Sequence, residues 1–249
     1  MKRVNDRSIN FRARFAGFLY LLLVFAGPVR LMYIPEKLFV PGDAPATASN
    51  IVAHETLFRL GMVSDLFGAV VLIFLTLAFF ELFKDVDRKL AVLVIILGGV
   101  MPACINFFNV VNDAAALMLV RGADFLSVFD KPQRDAMAML FLRLHHQEIN
   151  AAEVLWGMWL FPLALLVYRS GFLPRLIGVG LAVNGIAYLA LSFTGLVVPQ
   201  YEDAVLGALF PAQFGELALV LWLLVFGAKV RPAADQASRS SAAVVVERF

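Results

Sequence analysis

The sequence predicts an all-α fold, a polytopic membrane bundle of six transmembrane helices with short extracytoplasmic interfacial helices. Three observations carry that expectation. The first is composition: 61% of the 249 residues are hydrophobic, 16% are charged, and the mean hydropathy is +0.82. A soluble domain holds about 25% charged residues, enough to cover its surface, and this chain does not. The second is length, because six windows each supply the roughly 20 mostly apolar residues that cross about 30 Å of hydrocarbon. The third is texture. Strands of a membrane barrel alternate in polarity over about ten residues, whereas these runs stay apolar for twice that.

In chain order the windows are residues 15–32, 60–83, 90–120, 151–168, 173–194 and 206–226. The first follows a basic lead of Lys2, Arg3, Arg7, Arg12 and Arg14 and lacks a small-x-small cleavage site, so it reads as a retained signal anchor. The third exceeds one crossing and carries Pro102 as its hinge, while Pro28, Pro162 and Pro211 mark further kinks. Between the first two windows, Pro41-Gly42-Asp43 reads as a turn and helix start, with residues 44–59 running as a helix into the second span. Between the third and fourth, Asp130-Lys131-Pro132 starts another helix. Its Met137, Leu140, Phe141 and Leu144 form an apolar face suited to lying on the outer leaflet or covering the bundle as a lid. In the fifth window, Gly178, Gly185 and Ser192 recur at heptad spacing, the pattern of a close helix contact. Residues 1–12 are then a basic cytoplasmic arm and 13–228 the transmembrane domain. Residues 229–249, rich in Ala and Ser with mixed charge, read as a disordered cytoplasmic tail.

Lys and Arg set the orientation. With the N-terminus inside, seven of the 21 fall on outer segments (Arg30, Lys37, Arg59, Arg121, Lys131, Arg134 and Arg143) and the other fourteen on inner ones. Cytoplasmic flanks retain positive charge, so both termini are expected in the cytoplasm. The net charge of +2 is spread along the chain, which gives no support to nucleic-acid binding. The basic arm suits anionic lipid headgroups.

The informative residues are those that lipid rejects, since an ionisable group at membrane depth costs several kcal/mol unless paired or wetted. Asp65, Asp113, Glu153 and Glu216 all fall in the outer halves of their spans. At 100° per residue, His146, Asn150, Glu153 and Gly157 lie within about 60° on one face of span four. Asn106, Asn109, Asn112 and Asp113 fall within about 120° on span three, and Gln213 and Glu216 are one turn apart on span six. The expectation is one outward polar chamber shared by the four acids, with Arg30 and Arg59 as charge partners able to grip carboxylates bidentately. The same residues, read more plainly, join helices.

No catalytic residue is identified: nucleophile elbow, phosphate loop, dinucleotide fingerprint and His-Glu-x2-His stretch are all missing from the chain, and no cofactor is implied. Lone Cys104 excludes a disulfide framework and a cysteine zinc site. His145 and His146 with Glu148 and Glu153 do not make a metal-ligand spacing, so no metal is expected, and both histidines are read as interfacial. A short echo, Gly-x2-Tyr-Leu, links Gly17 to Leu21 in span one with Gly185 to Leu189 in span five. An inverted repeat would produce such an echo, and so would chance.

Four stretches carry a resemblance. They are Arg14-Phe15-Ala16-Gly17-Phe18-Leu19-Tyr20-Leu21-Leu22, Val40-Pro41-Gly42-Asp43-Ala44, Leu57-Phe58-Arg59-Leu60-Gly61, and Tyr168-Arg169-Ser170-Gly171-Phe172-Leu173-Pro174-Arg175 followed by Gly178. In that order and spacing the chain resembles, from about Ala13 to Gly227, the bacterial multi-pass membrane family catalogued as domain of unknown function 4386. At His146-Gln147-Glu148 it departs from the more glycine-rich, aromatic stretch expected there. The resemblance implies a six-helix integral protein of a bacterial cytoplasmic membrane and brings no activity with it. The functional expectation is a chamber that binds a small solute, cation or proton for transport or sensing. The alternative is a noncatalytic structural or interaction protein joined to a membrane partner subunit, and enzymatic activity on a lipid ranks below both.

Overall fold

Six helical columns, each long and apolar enough to cross a membrane, build the computed structural model, which describes residues 6–228 and their side chains from residue 8. Residues 229–249, expected to form a disordered tail, lie outside the described residues. The columns are Ser8–Leu38, Glu55–Phe83, Arg88–Arg121, Lys131–Ser170, Arg175–Val197 and Pro199–Val225.

Proline and glycine explain most of the joints. Column one comprises α1 (Asp6–Pro28), a wide π turn over Val29–Tyr33, and α2 (Ile34–Leu38). Pro28 therefore does not end the span. The π turn absorbs the carbonyl it frees, and the helix runs on past the expected residue 32. Gly42, at φ +80°, turns the chain, and the Asp43 carboxylate accepts the Ala46 amide at 2.9 Å to cap α3 (Ala44–Ala53). The helix expected over 44–59 is broken at His54, whose backbone leaves the helical region, and α4 (Glu55–Phe83) restarts at once. Column three, α5 (Arg88–Ile95) and α6 (Met101–Arg121), bends through a second π turn at Ile96–Val100 just before Pro102. Gly98 and Gly99 sit in that turn, where an added Cβ would meet the Trp159 ring and the Thr76 hydroxyl.

The helix starting at Asp130 does not lie flat. Asp130 and Gln133 form a reciprocal capping box at 2.8 and 3.0 Å, and α7 then runs without interruption as Lys131–Ser170. Residues 145–150 contain no Gly or Pro, so nothing separates the expected surface helix from span four. At 1.5 Å per residue α7 is about 60 Å long, twice the hydrocarbon thickness, and its first turns pack on α3 and α6. Pro162 lies inside it without breaking it. The chain returns as α8 (Arg175–Val197), a short α9 (Glu202–Leu209), a tight turn over Phe210–Gln213 that contains Pro211, and α10 (Phe214–Val225).

Small residues set the closest approaches. Gly157 faces Gly185, Gly178 faces Ala164, and Ser192 donates to the Asn150 carbonyl at 2.5 Å, so the heptad stripe of α8 is buried against α7. Gly215 meets Gly180 in the same way between α10 and α8.

Two apolar layers result. The larger, toward the chain termini, centres on Leu75, Phe79, Phe83, Leu160, Leu163, Leu166, Leu181, Leu219 and Leu223. The smaller, at the end carrying α2 and α3, here the distal end, packs Ile34, Leu38, Ile51, Phe58, Ala116, Leu117 and Leu142. Arg30, Asn109, Asp113 and His145 fall between these layers, whereas Thr76 lies within the larger one and Asp135 beyond the smaller. Outward-facing Phe25, Phe74, Phe108 and Ile186 are each more than half exposed, which lipid tolerates and water does not.

A Cβ at residue 157 would stand 2.7 Å from the Gly185 carbonyl oxygen, which is backbone and cannot swing aside. Gly157→Ala is expected to part α7 from α8 at a cost of about 1–3 kcal/mol. Thermal unfolding of the purified protein checks this, and an unchanged midpoint contradicts it.

Candidate functional site

Arg30 is the centre of the distal polar layer. It occupies the π turn of column one, where the wider pitch turns its side chain inward, and its guanidinium is 6% exposed. Its Nε donates to Asp65 Oδ2 of α4 at 2.8 Å and its Nη2 to Asp113 Oδ2 of α6 at 2.6 Å. His145 of α7 completes the group. Its ring nitrogens lie 3.0 and 3.3 Å from Arg30 Nη2, and its Nδ1 lies 3.2 Å from Asp113 Oδ1. Four columns thus meet at one cation. The carboxylates are no more than 12% exposed, so little water screens them.

Neutral polar groups flank this cluster. Asn106 donates Nδ2 to the Asp65 carbonyl at 3.5 Å, and Asn109, one turn from Asp113, keeps a buried Oδ1 without a hydrogen-bond partner among the described residues. Asp65, Asp113 and His145 could each offer one ligand atom, all within 4.8 Å of one another. The Arg30 guanidinium already holds the space between the two acids, so an external metal ion would have to displace it.

The four acids do not share one chamber. Glu216 belongs to a second group, in which Asn184 of α8 donates to its Oε2 at 2.7 Å, the Tyr20 hydroxyl donates to its Oε1, and Tyr188 lies nearby. Tyr20 and Arg30 stand ten residues apart on one column, about 15 Å along its axis. The two groups therefore lie at different depths. Tyr20 in turn packs with Phe79 and Trp159, ring centroids 6.0–6.3 Å apart, inside the larger apolar layer. Glu153 belongs to neither group. It faces the side of the bundle where Glu202 of α9 interacts with it, and His146 pairs with Glu202 at 3.2 Å near the surface. Asn150 packs under Gly195, and Gln213 sits in the turn before α10 without bonding Glu216. Arg59 pairs at 2.7 Å with Glu55, a surface acid, instead of a buried one.

Helical phase groups residues on one face of a helix but cannot say which column that face meets. His145 was read as interfacial and is in the cluster, whereas His146, on the predicted stripe, points to the surface. A signal existed, since Ala138, Leu142, His145 and Ala152 recur at intervals of four, three and seven residues, the period of a buried stripe. The Gly-x2-Tyr-Leu echo carried another, because its two tyrosines, Tyr20 and Tyr188, converge on Glu216.

A family model described as a domain of unknown function (DUF4386) matches the chain over residues 15–227. No curated protein and no solved structure matches the chain.

Removing the buried cation leaves two carboxylates facing each other. Arg30→Gln is expected to cost about 3–5 kcal/mol, because uncompensated buried charge is left behind. The double change Arg30→Gln with Asp65→Asn should recover part of that loss. A double-mutant cycle on thermal stability reads the coupling, and additive losses contradict the pairing.

Proposed function

The chain belongs to the family described as domain of unknown function 4386; because that description names no activity, we propose from the site itself that the protein binds a proton or small cation within the bundle. One observation carries this reading. Two carboxylates face one guanidinium and one imidazole, so with His145 neutral the buried group holds one net negative charge. Uptake of a single proton by the group cancels it. A small monovalent cation would compete for the same charge, with the unpartnered Asn109 Oδ1 as a neutral ligand.

The expected consequence is transport or sensing. Neutralising the group changes how firmly column one is held to α4, α6 and α7, all of which contact it through Arg30. In this reading the distal end faces the outside of a bacterial cytoplasmic membrane and both termini are cytoplasmic, as the Lys and Arg distribution suggests. Glu216, Glu153, Asn150, Gln213 and His146 would then bear on the bundle by other contacts and not by lining this site. A second reading has its own support: one arginine bonding three other columns is what a helix-joining residue does, in a protein whose partners are lipid and a membrane subunit.

Infrared difference spectra of the protein in lipid nanodiscs, taken between acid and alkaline pH, separate the two. A protonating site shows imidazole and carboxyl bands that are lost in His145→Gln and diminished in Asp113→Asn. If both variants keep the wild-type bands while folding normally, the proton-binding reading is wrong and the joining role stands.

A further inference from the structure

A second site lies outside this cluster, between the distal ends of α4 and α6. A cleft of about 470 Å³ is lined by Arg59 and Met62 of α4, by Leu117, Met118 and Arg121 of α6, and by the turn after α6. The two arginines share one partner. Arg59 Nε and Arg121 Nη1 bond the same Glu55 Oε1, at 2.7 and 3.1 Å, which leaves one positive charge over and most of the N–H fork of each guanidinium uncommitted. Both side chains are about half exposed. A third arginine, Arg134, lies against Gly122 of the lining, its Nη2 3.1 Å from where a Cβ would begin and its Nη1 donating to the Phe129 carbonyl at 3.1 Å. Cation excess therefore gathers at the mouth while the walls are apolar.

We propose that this cleft binds an anionic glycerophospholipid, its phosphodiester held by Arg59 and Arg121 and one acyl chain running along α6. The rim contributes the charge that a phosphate oxygen pair matches bidentately. The apolar path follows from helical spacing, since Ala114 of the cleft continues at three and seven residues back to Val111 and Phe107, exposed 63% and 51%. Glu55 competes with the phosphate for both guanidiniums and sets how tightly the lipid is held. The place of the cleft at the end of two membrane columns puts it at headgroup level.

Native mass spectrometry of the purified full chain in neutral detergent tests this, with palmitoyl-oleoyl phosphatidylglycerol and phosphatidylcholine offered at equal concentration. With one arginine charge left over beside a charged headgroup, the wild type should retain phosphatidylglycerol about fivefold over phosphatidylcholine. Arg59→Gln with Arg121→Gln should abolish the preference, and Glu55→Gln should increase retention about threefold by freeing both forks. Equal retention of the two lipids by the wild type overturns the proposal, as does a preference that survives in the double variant. Displacement of the lipid by millimolar glycerol 3-phosphate would assign the site to soluble phosphate and overturn it too. Should the double variant fail to fold, Glu55→Gln decides alone, and no rise in retention rejects the lipid.

Discussion

A guanidinium withdrawn from water must be neutralised by protein, and the distal half of this bundle is organised around that requirement at Arg30. The π turn of column one aims it inward, and Asp65 and Asp113 arrive from separate columns to meet it. Because the arginine reaches both acids at once, it fixes the relative rotation of α4 and α6 as well as their distance. Lateral freedom is already small where glycines let α7, α8 and α10 touch backbone to backbone. Polar contact therefore joins columns one to four at the distal end, and close glycine packing joins columns four to six.

The layering follows from the same constraint. Above the cluster, Ile34, Leu38, Phe58 and Leu142 seal it at the distal end, and below it the larger core begins. Charge sandwiched between two apolar layers interacts strongly because water contributes so little. A pair of charges therefore couples more strongly here than at the surface, where His146 and Glu202 form a pair half in solvent. The Glu216 group obeys another rule. Its hydrogen-bond partners are uncharged side chains, Asn184 and Tyr20, so it is satisfied without an opposite charge.

What was legible in the chain, and what was not, divides along a physical line. Composition and run length determined the class, the six crossings and the helix starts, since Asp43 and Asp130 cap helices through bonds to residues only three positions away. Helical phase determined that Asp113, Asn109 and Asn106 share a face of α6, because periodicity is a property of one helix. The Gly-x2-Tyr-Leu echo was visible as a pattern, but its meaning was not, because the two tyrosines meet only at a third element, Glu216.

Only the tertiary structure decided which faces oppose each other. It put His145 and not His146 beside Asp113, divided the acids among separate neighbourhoods, gave Arg59 to Glu55, and joined the Asp130 helix to span four. Each of these depends on the azimuth and tilt of one helix against another, which the packing of glycines and the reach of one arginine set jointly. A single chain position carries the period of its own helix, but the identity of its neighbour across the interface is a property of the assembled bundle.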